Sequence, residues 1–140
     1  MTINEIFDDN LTKLGFKQID KEINNGRQFI SQDGEETLTV IYSSPIRFTL
    51  EFPLNKKPDG EADLREKACI VYDGNIASYY SPKTRKKIED YNRGLIDTKP
   101  EADMFDRLDS MDSLFCLDDV RTWAKEIQKD NGYRKDERAK

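Results

Sequence analysis

Between Phe16 and Leu54 the apolar residues tend to fall at every second position, and that period constrains the fold more than any other feature of the chain. In the clearest stretch Ile46, Phe48, Leu50, Phe52 and Leu54 alternate with Arg47, Thr49 and Glu51. Successive strand side chains point to opposite sides, so this pattern buries one face and wets the other, as in an antiparallel meander. Strands are expected from about Lys17 to Ile23, Arg27 to Gln32, Glu36 to Ser43 and Ile46 to Leu54. Asn24-Asn25-Gly26 and Asp33-Gly34 separate them with residues that tolerate positive φ. Beyond the polar loop Asn55 to Gly60, a hairpin is expected from Lys67 to Tyr72 and Asn75 to Tyr80, turning at Asp73-Gly74.

Helical spacing brackets the strands. Thr2 and Glu5 form a capping box ahead of Ile3, Ile6, Phe7, Leu11 and Leu14, and Gly15 supplies the stop. Ser81-Pro82 opens a second helix, with Ser81 as N-cap, Pro82 at the first helical position, and Ile88, Tyr91 and Leu95 on one face. A third is expected around Glu101 to Phe115, from Met104, Phe105, Leu108, Met111 and Phe115. The last, capped by Asp118, carries Val120, Trp123, Ala124 and Ile127 and stops at Asn131-Gly132, with Trp123 in the core. This order predicts an α+β fold: an N-terminal helix, an antiparallel sheet of about six strands (a meander plus a hairpin), and three C-terminal helices packed on one face. One domain spans residues 1–132, and the polar stretch 133–140 is expected to be a frayed tail.

The chemistry is limited by what the chain lacks. It contains no histidine, which excludes Ser-His-Asp and Cys-His catalysis and histidine metal ligation. Its two cysteines, Cys69 and Cys116, lie in apolar surroundings and form no Cys-x-x-Cys pair, so both are expected in the core and the compartment is expected to be the reducing cytoplasm. No run approaches the ~18 apolar residues of a membrane span, and Met1 to Asp9 lacks the basic and apolar regions of a signal peptide. Asp103, Asp106, Asp109 and Asp112 recur at every third residue. On a helix they would spread around the axis rather than converge, so no metal site is expected. No cofactor and no enzymatic activity are expected either, the alternative being a histidine-free hydrolase that uses paired Asp or Glu.

Charge is distributed unevenly. Lys83 to Arg93 holds five basic and two acidic residues, a local +3, while Asp97 to Asp119 holds eight acidic and two basic, a local −6. Cations in the first turn of a helix oppose its dipole by about 0.3–1 kcal/mol each, so an economical reason for them is a bound anion. Tyr79, Tyr80, Lys83, Arg85, Lys86 and Lys87 are therefore the candidate partner-binding residues, against the alternative that the acidic stretch neutralises them within the molecule. The layout is similar to that of small secretion chaperones and of the immunity or inhibitor proteins of bacteria and phages, although no motif is shared. That likeness implies a non-enzymatic module that binds and regulates or neutralises another protein. The alternative is a nucleic-acid or phosphate-binding protein using residues 83–87. No membrane partner is expected, and a homodimer is compatible with either reading.

Overall fold

A computed structural model describes residues 9–23, 26–41, 47–73, 75–107 and 113–133, with side chains described for all of these except 20–23 and 113–116. The proposed capping box Thr2–Glu5 with Ile3, Ile6 and Phe7, the turn residues Asn24, Asn25 and Gly74, the positions Leu108, Asp109, Met111 and Asp112, and the stretch 134–140 lie outside the described residues. So do the side chains of Phe115 and Cys116.

Helical backbone over 9–13 (α1) leads into a meander of β1 (Lys17–Ile23), β2 (Gly26–Ile30), β3 (Thr37–Ile41), β4 (Arg47–Pro53), β5 (Lys67–Asp73) and β6 (Ile76–Tyr80). Helix α2 (Pro82–Asn92), strand β7 (Met104–Arg107) and helix α3 (Ser113–Asp130) complete it. All neighbouring strands are antiparallel, and their order across the seven-stranded sheet is the order along the chain. The expected α+β class and the antiparallel meander agree with this architecture. Among the described residues no helix is long and apolar enough to cross a membrane.

The alternation of β4 sets the core. Phe48, Leu50 and Phe52 are fully buried beside Leu38 and Val40 of β3 and Ile70 and Tyr72 of β5. Leu117, Val120, Ala124 and Ile127 of α3 close this face at helical spacing. Gln128 Nε2 fastens the helix by donating to Pro53 O at 2.9 Å. Trp123, expected in the core, is only half-buried and packs against its rim. Tyr133, the first residue of the expected tail, is buried, with Lys56 Nζ 5.1 Å from its ring centroid.

The expected helix over 101–115 is corrected by the structure. Met104 to Arg107 form an edge strand instead, with Tyr79 opposite Met104 and Ile76 opposite Arg107. Met104 and Phe105 are exposed, so the apolar spacing that suggested a helix does not mark a buried stripe. Backbone pairing with the otherwise open edge of β6 outweighs the weak helical preference of this segment. The remaining C-terminal helices also depart from expectation: α3 already runs from Ser113, so Asp118 is an exposed interior residue and not its cap.

Nor do the described C-terminal helices share one face. Arg85 of α2 grips Glu51, which alternates with core-facing Leu50 and Phe52, so α2 lies on the side of the sheet opposite α3. Thr84 is its only buried residue among those described, while Tyr91 is exposed and Leu95, 68% exposed, lies beyond the helix end. The helix stops early because Gly94 adopts φ +76°. Leu95 N then donates to Asp90 O (2.8 Å) and Gly94 N to Tyr91 O (3.0 Å), the two bonds of a Schellman cap. Gly15 and Gly132, both expected as stops, end α1 and α3 in the same way.

Candidate functional site

The six sequence candidates divide at the first step. Side chains alternate along β6, so Tyr79 and Tyr80 point to opposite faces. Tyr79 joins the core, its ring 6.3 Å from that of Phe52 and 6.4 Å from that of Trp123. Tyr80 is half-buried on the α2 side, opposite Cys69 of β5. The structure therefore separates Tyr79 from the other five.

Arg85 is engaged within the molecule. Its Nη1 donates to Lys67 O at 2.8 Å and its Nη2 to Glu51 Oε2 at 3.1 Å, tying α2 to β5 and β4. Lys83, Lys86 and Lys87 are exposed. Lys83 and Lys86 line an open groove of about 650 Å³ between α2 and the sheet, whose other wall includes Leu64, Arg65 and Lys67. Lys67 is the residue that sequence reasoning missed. It opens a strand, and nothing local marks it; only the packing of α2 over β5 brings it to the lysines of the helix. Its ammonium donates to Thr37 Oγ1 at 3.3 Å, and burial pushes its pKa below the ordinary value, with Glu51 partly offsetting this. Among the described residues no carboxylate lies within ion-pair distance of Lys67, Lys83 or Lys86. Glu51, Glu66 and Glu89 also line the groove, against Arg65, Lys67, Lys83, Arg85 and Lys86, so its positive excess is modest.

The start of α2 already holds an anion. Ser81 caps it as expected, its Oγ accepting from Thr84 N at 3.2 Å. Asp103 adds a carboxylate that accepts from Ser81 N at 2.7 Å and from the Thr84 hydroxyl at 3.0 Å. A carboxylate here suits the helix dipole by about 0.3–1 kcal/mol, opposing the lysines of the same turn. The acidic stretch thus does reach the basic helix, through a backbone amide and a hydroxyl rather than through the lysine ammoniums. Asp106 lies in β7 and Asp103 in the bend before it, so the spread around a helix expected for the aspartate repeat does not describe them. Among the described residues no three His, Cys, Asp or Glu side chains gather as metal ligands.

Two buried groups on either side of the sheet give a pH prediction. Burial raises the Cys69 thiol from 9.0 to about 11. Burial, with Asp103 adding to it, raises the Tyr79 phenol from 10.0 to about 12. Each holds its proton more tightly folded than unfolded, so its stabilisation is complete below the unfolded value and is lost as pH rises through the folded one. Thermal denaturation should show a falling Tm from pH about 9 to about 12, and Cys69→Ala should flatten the portion between about 9 and 11. A wild-type Tm that holds constant across this window contradicts both assignments. No protein-family description, no curated protein and no solved structure matches this chain.

Proposed function

We propose that the protein is a non-enzymatic module that binds another protein and regulates or neutralises it, in the manner of inhibitors, immunity proteins or chaperones. Its contact is an acidic surface of that partner, taken by Lys67, Lys83 and Lys86 across the groove, with Lys87 beside them. The observation that carries this reading is the convergence of lysines from two separate elements on one open groove, without a carboxylate within ion-pair distance of Lys67, Lys83 or Lys86 among the described residues. A half-buried ammonium such as Lys67 gains more from an incoming carboxylate than a fully solvated one does. The chain's lack of histidine and the raised, buried thiol of Cys69 support a binding role over a nucleophilic one.

Affinity capture from native lysate with wild type and with Lys83→Glu/Lys86→Glu tests the reading. Both residues are exposed and neither takes part in the Arg85 tie, so the double variant should keep the wild-type Tm. A protein retained by wild type should bind the variant at least about tenfold more weakly, the equivalent of about 1.4 kcal/mol. Equal capture by the variant removes the groove from consideration. Co-purifying nucleic acid, with a log–log salt slope of about −0.7 to −0.9 per phosphate contact, replaces the protein-binding reading with the nucleic-acid one. The start of α2 weighs against that second reading, because Asp103 takes the Ser81 amide and Ser81 Oγ takes that of Thr84, two donors that a phosphate would use.

A further inference from the structure

β7 is one of the two edges of the sheet, and all four of its residues are exposed. Phe105 is 75% exposed, more than any other large hydrophobic residue described. On the same face its diagonal neighbours on β6 are Ile76, also exposed, and Tyr80. An edge strand presents unpaired amide and carbonyl groups, and a flat apolar one is a template for further pairing. At the opposite edge the pairing is interrupted: β1 has an irregular register between Ile19 and Ile23. β7 pairs with β6 in one unbroken register over all four of its residues. Among the described residues no strand pairs on its outer side.

We infer that β7 is the interface of a homodimer, in which it pairs antiparallel with β7 of a second copy across a two-fold axis perpendicular to the sheet, centred on Phe105. Such an axis keeps each face on its own side, so the register must centre on a residue rather than between two. Centred on Phe105, it sets the two Phe105 rings opposite each other. It places Met104 against Asp106 of the second copy, and brings Asp103 opposite Arg107 of the second copy at both ends. Asp103 spends two acceptor sites on α2, and a carboxylate has about four. Centred on Asp106, the register would oppose two like charges directly, which is destabilising. Centred on Met104, it would set Phe105 against a carboxylate and lose the aromatic pair. Phe105 at the centre is therefore the self-complementary choice, in hydrophobicity and in charge. In this register Met104, Phe105 and Asp106 of each β7 pair, a short ladder in the small class of interfaces, below about 1,200 Å², and a weak dissociation constant of about 1–100 µM is expected.

Sedimentation equilibrium of the full chain from about 1 to 300 µM reads this directly, since that range brackets the expected constant. The mass should rise from one chain to two. Phe105→Lys, which sets two cations against each other on the axis, should remain monomeric throughout with an unchanged Tm. Under mild oxidation Phe105→Cys should form a disulfide-linked dimer above the wild-type background, because directly opposed residues have Cα atoms about 4.5–5.5 Å apart, within the ~4.4–6.8 Å that a disulfide spans. Asp106→Cys should not. Lys83→Glu/Lys86→Glu should dimerise like wild type, which separates this interface from the groove. A wild-type mass of one chain across the range, a Phe105→Lys variant that still dimerises, or crosslinking at position 106 in place of 105 overturns the proposal.

Discussion

Phe52→Ala should shift the urea midpoint downward by more than about 1 M, or leave no cooperative transition at all. Phe52 is only 1% exposed, stacks beside Tyr79 on the core face of the sheet, and belongs to the strand that α3 fastens through Gln128 and the Pro53 carbonyl. Truncating a core phenylalanine costs about 3–5 kcal/mol, from the lost transfer term and the cavity left behind. That is a large share of the ~5–15 kcal/mol that keeps a domain folded. The position allows little collapse, because Tyr79 is held by its strand on one side and by Trp123 on the other. A midpoint within experimental error of wild type would mean that Phe52 does not pack as described.

Arg121→Ala should destabilise by about 2–3 kcal/mol, although it removes a single side chain at the edge of the core. Arg121 Nε lies 3.3 Å from Glu36 Oε2, and the Glu36 side chain is only 11% exposed. The guanidinium also sits 4.9 Å from the Phe16 ring centroid, joining α3 to the segment after α1. Removing one partner of a buried pair costs about 3–5 kcal/mol because the remaining charge is left uncompensated. The 22% exposure of the arginine side chain reduces that figure. Glu36→Gln should cost less than Arg121→Ala, and adding it to Arg121→Ala should restore part of the loss, since the stranded charge disappears. Equal losses in the two single variants, with no recovery in the double, would show that packing against Phe16 and not the ion pair holds this corner.

Local chemistry was enough for some elements and not for others. β4 was legible because five apolar residues alternate within nine positions, and no helix can bury that pattern on one side. Ser81-Pro82 and Gly15 were legible because a cap is made by groups within a few residues of one another. Gly94 carried the same signal as Gly15 and would have ended α2 at Asn92 had its spacing been weighed against the apolar series Ile88, Tyr91 and Leu95. The exposed lysines 83, 86 and 87 followed from their clustering on a helix start. Lys67 and Asp103 did not, because each acts on α2 from a distant part of the chain.

The sequence by itself determined the α+β class, the meander and the start of α2, since alternation, turn residues and caps depend on neighbours along the chain. Only the tertiary structure decided that residues 104–107 are a strand and not a helix. Their spacing of apolar residues suits either state, and what tips the balance is the open edge of β6, where Tyr79, the partner of Met104, lies 25 positions before it in the chain. The same holds for α2: its basic turn lies opposite Lys67 and beneath the Asp103 carboxylate because the sheet folds them together. Backbone pairing and charge are satisfied across the chain, and spacing along it records neither.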